Sequence, residues 1–459
     1  MDPIFSVAEH LVKTRFEDLP KDVVEKVKLF ILDSLGVALP GSGAPGVPQV
    51  SGLMAELGGK PESTVYVYGH KLTAMDAALV NSMMVHALDL DDLHEDAIVH
   101  PSCCQVPTAF AVAEQRSPVH GKDLITAIAL GVDLSCRLAL GVISGMGFIR
   151  SGICGIFGAV ANAAKLRHCS KEVIVNAMGI ALSQTAGNAQ VLLDGALVKR
   201  MQPGFMARDG IFSVLLAEKG MKGPENVLAG KFGFMELYKR GDIYPDRILK
   251  DLGTYFEVSN VSAKLYPGGR FIHGPAEIGI EISKKENLTA DRIAEMTIFL
   301  PKTAFDYVGR PYDPDRGNPQ VMAQFCAAYA AAAGIVRRDL FVGEFEEKVI
   351  RDPVIGDLAR KTKVVVDETV KEPMATTPVS LEIKTKDGRI LSGKVQYIKG
   401  HPKNFLSKED FLIKFRKCID LSQSKISEEN ISKMIDLIDR LEKMPDAGQI
   451  PKLLTRKKT

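Results

Sequence analysis

The stretch HALDLDDLHEDAIVHPSCC, residues 86–104, sets acids and histidines between two apolar runs, AALVNSMMV and QVPTAFAVA. Charge at the edge of a core suits proton transfer, because a base held against an apolar wall has a displaced pKa. Asp89 and His100 have the apolar neighbours such a role needs, whereas Glu95 and Asp96 read as hydrated side chains of an exposed acidic turn. Thr73-Ala-Met-Asp76 is a capping box, and the helix it starts is predicted to run through His86 and Asp89, which would share a face at i, i+3. His100 precedes Pro101, which biases it away from helical dihedrals and places it in the loop before a new helix.

Three metal chemistries can be tested against this spacing. As an EF-hand with Asp89 first and Asp91 third, the loop fails: Leu93 stands at position 5, His94 where glycine is needed and His100 at position 12. Asp91-Asp92-Leu93-His94-Glu95 fits a DDxxE pattern that could hold Mg²⁺ for prenyl-diphosphate chemistry. No second acidic motif accompanies it, and a chain without tryptophan has few aromatic faces to shelter a carbocation. No HExxH zinc spacing occurs.

Cationic groups cluster twice. LVKRMQPGFMARDG, residues 197–210, puts Lys199, Arg200 and Arg208 around a Pro-Gly break, where a helix start could bind carboxylate or phosphate. Arg200 and Arg208 by themselves read as a solvated basic helix end. KLYPGGRFIHG, residues 264–274, is denser, with Lys264, Tyr266, Arg270 and His273 around Pro267-Gly268-Gly269 where the composition changes. Such a hinge suits a cleft between two bodies. GPENVLAGK and GVISGMGFIRSG lack phosphate-binding spacing. Cys103-Cys104 and Tyr329 read as packing residues.

The elements that must position these groups are mostly helical. From residue 4 to about 258 apolar residues recur at helical spacing, as in VVEKVKLFILDSLGVAL and GIFGAVANAAKL. Beyond 259, IAEMTIFLP and KVVVDET are β-branched runs, and PVSLEIKTKDGRILSGKVQYI reads as a hairpin around Asp387-Gly388. AQFCAAYAAAAGIV and EFEEKVIRDPVIGDLARK lie between them with helical period, and the tail returns to helix. The predicted class is mainly α with an α+β part: residues 1–258 and 397–459 form a helical domain, into which 259–396 inserts as a smaller α+β domain.

At 459 residues and 46% hydrophobic the chain can bury a large core, and a formal net charge of +2 offers no general field for nucleic acid. Seven cysteines without CxxC pairs suggest reduced thiols in a cytoplasmic protein. MDPIFSVAEHLVKTRFEDLP carries early acids and no basic n-region, so the mature chain is expected to start there rather than after a secretory signal. The longest apolar stretch is interrupted by Asp133 and Arg137, which suits buried helices better than a bilayer span.

In order, HALDLDDLHEDAIVHPS, GIFGAVANAAKL, VKRMQPG, GMKGPENVLAG, KLYPGGRFIH, AQFCAAYAAA and HPKNFLSKEDFLIKF resemble the MmgE/PrpD family. The similarity extends to LPKDVVEKVKLFILDSLGVALPG near the start. It implies a helical domain capped by an α+β lid, a homodimer, and a cleft that handles small di- or tricarboxylates without metal or cofactor. It makes Asp89, His100, Lys199, Lys264 and His273 catalytic candidates, with Asp92, Arg150, Tyr266 and Arg270 as substrate contacts. The chain departs from the family pattern at Leu93, where threonine is usual, and at Ile149-Arg150, where many members have His-Pro. Gly268-Gly269 replaces cysteine or small polar residues. The implied activity is elimination of water from a 2-methylcitrate-like acid. Epimerisation or decarboxylation of a related acid is the alternative, and prenyl-diphosphate chemistry a distant one.

Overall fold

A computed structural model describes residues 1–142, 147–239, 243–371, 376–422 and 424–455; residues 143–146 of the GVISGMGFIRSG stretch thus lie outside the described residues. The chain is mainly helical, with an α+β part inserted before the C-terminal helices. In the larger part, helices Ala74–His86, Ser102–Arg116, Gly121–Gly141, Gly155–Leu166 and Gln202–Glu218 pack on one another. Every residue from Ser102 to Ala113 is buried, so this helix is apolar all round and surrounded by others. Glycine permits close crossings between these helices. A Cβ on Gly158 would lie 2.1 Å from Ser135 Oγ and 2.4 Å from the Gly131 carbonyl oxygen.

Helix Gly121–Gly141 is long and apolar enough to cross a membrane, yet 94% of its most apolar window is buried inside the fold. Helices Lys408–Asp420 and Glu428–Asp439 return to this body, where Phe411, Phe415, Ile431 and Met434 join one core with Phe30 and Leu35.

The α+β part has its own apolar core, from Phe271 to Ile383. Its sheet runs in the order Thr362–Val366, Ile293–Leu300, Val379–Thr385, Ile390–Val395. The first pair is parallel and the others antiparallel. Val379, Leu381, Ile383 and Thr385 are buried while Glu382 and Lys384 are exposed, the period-2 alternation of a sheet with one covered face. Helices His273–Lys285 and Ala327–Arg337 cover that face.

Two details differ from the sequence reading. Strand pairs of two residues occur within or against the helical body, Ser63–Thr64 with Lys71–Leu72 and Leu93–His94 with Val261–Ser262; runs so short carry no alternation. The second pair ties the acidic loop to the hinge. The helix capped by Thr73 ends at His86, and Asp89 sits at φ +54°, so the two do not share a helical face. Aspartate tolerates this left-handed turn.

Candidate active site

A cavity of about 500 Å³ lies between the two parts. Asp89, Glu95 and His100 from the acidic loop border it, as do Lys199 from the helical body and Arg270 from the hinge. Arg150 adds a further cation and donates to the Ala97 carbonyl at 2.9 Å.

Asp89 is the centre of the charged end. Lys264 Nζ donates to its Oδ1 at 2.6 Å and to its backbone oxygen at 3.0 Å, and Lys199 donates to Oδ2. Burial raises the pKa of this carboxyl, but the two ammoniums outweigh burial and hold it well below the usual range. Lys264 is completely buried, whereas the Lys199 side chain is 15% exposed, so Lys199 is the ammonium that reaches the cavity. The backbone supports this arrangement: the Gly268 amide donates to the Asp89 carbonyl, and the Gln324 amide group to that of Leu88. Gly268 is at φ +111°, and a Cβ there would meet the Gln324 oxygen at 2.5 Å.

His100 stands beside this group, its Nε2 3.9 Å from Asp89 Oδ1 and its Nδ1 3.3 Å from Asp91 Oδ2. Burial, then Lys264, lowers its pKa to about 4, so the imidazole is neutral at pH 7. Asp91 accepts a hydrogen bond from His86 Nδ1 at 2.9 Å; burial opposes its ionisation, but the imidazoles of His86 and His100 hold it well below the usual range.

Arg270 is turned toward Glu95, donating from Nε at 2.9 Å, and its other contacts include His273 Nδ1 at 3.3 Å. His273 is buried behind Arg270 and its ring packs against Tyr266, 5.2 Å between centroids. Burial and then Arg270 keep its pKa well below that of an ordinary histidine. Neither His273 nor Tyr266 borders the cavity, so their expected direct contact with substrate is not what the structure places there.

Asp92 also stands apart. It accepts from the Ser102 amide at 3.1 Å and hydroxyl at 2.5 Å, holding the start of helix Ser102–Arg116. Burial pushes its carboxyl up to about 8. With Asp92 capping a helix and Asp91 bonded to His86, the DDxxE acids do not converge on one site, which removes the prenyl-diphosphate reading. Glu95, expected in a hydrated turn, is buried and bonded to Arg270, Ser262 and Thr376. Arg200, expected to be solvated, is buried and donates to the Pro45 carbonyl. Arg208 is partly exposed beside Asp209. Cys103, Cys104 and Tyr329 are buried packing residues, as read from sequence.

Two sets of side chains, Asp89/Asp91/His100 and His86/Asp91/Cys103, lie close enough to hold a metal ion. Both oxygens of Asp89 already carry lysine ammoniums, so a dication at the first set would have to displace one or bind against both. In the second, burial holds the Cys103 thiol far above its usual pKa, so an ion there would have to displace the thiol proton as it bound.

Comparison with known proteins agrees with this geometry in placing the chain in two matched parts. The model of the MmgE/PrpD N-terminal domain matches residues 6–245, and that of the MmgE/PrpD C-terminal domain residues 266–440. The chain belongs to the MmgE/PrpD family. Among curated family relatives, cis-aconitate decarboxylase of Aspergillus terreus is 28% identical, with 95% of this chain and 93% of that protein covered. The human cis-aconitate decarboxylase is 26% identical over 98% of this chain and 93% of its own length. A cis-aconitate decarboxylase-like protein of Aspergillus oryzae is 25% identical, covering 95% and 94%.

Sequence reasoning passed over several residues that border the cavity or brace it. Tyr307 and Phe325 line it, and Lys199 sits over the Phe325 ring at 5.8 Å. Lys414, paired with Asp33 at 2.6 Å, donates to the Leu90 carbonyl from the C-terminal helix and so braces the acidic loop. Nothing local marks these residues. Asp91 and His86 were in view, inside the stretch richest in acids and histidines, but only their contact with His100 distinguishes them from their neighbours.

Proposed function

We propose that this chain is a cofactor-independent lyase that moves a proton at the carbon next to a carboxylate of a small di- or tricarboxylic acid. The observation that carries this reading is His100, a neutral imidazole bordering the cavity with a carboxylate behind it and an ammonium beside it. With its proton on Nδ1, facing Asp91, the ring presents an unprotonated Nε2 as base. The hydrogen next to a carboxylate is a very weak acid, so the charge that develops on the carboxylate oxygens must be stabilised as it forms. Lys199, already oriented by Asp89, supplies a fixed cation for this. Asp89 itself, held ionised between two lysines, orients cations and is a poor base.

In elimination of water, His100 takes the proton, a carbon-carbon double bond forms, and the β-hydroxyl leaves as water after accepting a proton. Tyr307 borders the same space, and burial raises its pKa, so its hydroxyl is a protonated donor at neutral pH. Decarboxylation is a second reading, favoured by the activity in the relatives' names. There a carbon-carbon bond breaks and the resulting carbanion is protonated. The homodimer and metal independence implied by the family belong to the same proposal, tested by molecular mass in solution and by turnover in the presence of chelator.

Incubation with citrate, 2-methylcitrate, aconitate and aspartate-derived acids in deuterated buffer, read by proton NMR, tests the reading. An unsaturated product with all carbons retained supports dehydration, and release of CO₂ selects decarboxylation. Deuterium wash-in without net product indicates epimerisation. If no acid is consumed or exchanged, the proposal fails.

A further inference from the structure

Much of the cavity's lining is apolar. Leu93, Phe148, Ile149, Leu192, Phe271 and Phe325 border the cavity, and two of these, Leu93 and Ile149, stand where the family resemblance leads one to expect polar side chains. Gly269 belongs to the same design. A Cβ there would lie 2.9 Å from the Phe325 ring, so the missing side chain leaves that ring room beside Lys199.

The volume is also more than a small polar acid fills. About 500 Å³ lies within the ~300–1,000 Å³ of sites that enclose drug-sized ligands. A second cavity of about 600 Å³ shares Ala189, Leu192, Asp306, Tyr307 and Phe325 with the first and continues past Leu193, Val321 and Met322, with Gln190 and Arg310 also on its border. Leu193 there is 62% exposed. An apolar group leaving the first cavity past Phe325 would therefore meet further apolar surface.

The charged end is correspondingly modest. Arg270 is balanced by Glu95, and Lys199 and Lys264 are balanced by Asp89 with Asp91 close beside it. Lys199, which reaches the cavity, is the ammonium there that a substrate carboxylate would meet.

We infer that the substrate is an amphiphilic acid: one or two carboxylates lie at the Asp89–Lys199 end, and an apolar substituent of several carbons lies against Leu93, Ile149, Leu192 and Phe325. This rests on the lyase reading for its chemistry but makes a separate claim about the ligand.

The test uses the full-length protein and two series of diacids with methyl to hexyl substituents. In 2-alkylsuccinates, which carry no leaving hydroxyl, calorimetry reads binding; in the matching β-hydroxy diacids, NMR reads turnover. Each added methylene should tighten binding about fourfold until the apolar wall is filled, and kcat/KM should rise in parallel. Leu192→Glu, at a half-buried position that tolerates change, should flatten the binding series; Leu193→Glu should do so only for the longest chains. Tighter binding along the series with no turnover of any acid overturns the lyase reading alone. Turnover of short acids with binding that is flat or weakens with chain length overturns the amphiphilic substrate alone. Neither binding nor turnover overturns both.

Discussion

The clusters of buried charge around Arg137 and around Asp89 in the helical body are built to opposite ends. Around Arg137 every direction is closed: Nε donates to Asp133 at 2.7 Å, and the two terminal nitrogens donate to the carbonyls of Lys250 and Tyr255 at 2.6 Å each. Asp133 in turn accepts from the Glu257 amide at 2.7 Å, and burial pushes its carboxyl up to about 6 despite Arg137. Around Asp89 the pairing is as tight, yet Lys199 and His100 keep an edge on a cavity. Burial and pairing are common to both clusters. What distinguishes a site of chemistry is a charged or basic group whose last partner is left for a ligand.

The sharpest break in this comparison is His100→Ala. Loss of a general base should lower turnover by about 10²–10⁴-fold, with the far-UV spectrum and melting transition retained. Lys199→Ala should cost about 10²–10³-fold in kcat, again with a folded protein, because Lys264 still pairs Asp89. Unchanged rates in both would remove the site assignment. At the closed cluster the outcome should invert. Arg137→Ala leaves Asp133 buried without its partner, and denaturant titration should show a loss of about 3–5 kcal/mol, while the molecules that remain folded keep their kcat/KM.

Smaller effects come from pH, with opposite signs at two residues. His100 has a folded pKa of about 4 against an ordinary 6.5, so between these values the unfolded chain binds more protons and stability rises with pH. His100→Gln should weaken that rise. Asp92 has a folded pKa of about 8 against an ordinary 3.8; across that window the folded chain binds more protons, and stability falls as pH rises. Asp92→Asn should flatten the fall in melting temperature from about pH 4 to 8 and leave turnover in place, since Asp92 caps a helix away from the cavity. A loss of turnover as large as that of His100→Ala would return Asp92 to the site.

Much of the fold was legible because its signals are local. The Asp387-Gly388 turn between alternating runs gave the hairpin, with Gly388 at φ +87°, and Thr73 and Pro101 marked helix starts that the structure has. The helix end at His86 was missed because no glycine or proline announces it; an aspartate in a left-handed conformation makes the turn. Glu95 and Arg200 were read as exposed because charge favours water by default. Their partners, Arg270 and the Pro45 carbonyl, lie 175 and 155 residues away, and no window of sequence contains both members of either pair.

By itself the sequence determined the helical body, the inserted α+β part and the region in which charge meets core, because periodicity and turn chemistry act between residues a few positions apart. Only the tertiary structure decided which acid is clamped, which lysine reaches the cavity and which histidine is shut away. Those outcomes depend on distance and solvent access between groups such as Asp89 and Lys199, 110 residues apart along the chain, and the strength of a charge pair is set in space by separation and burial.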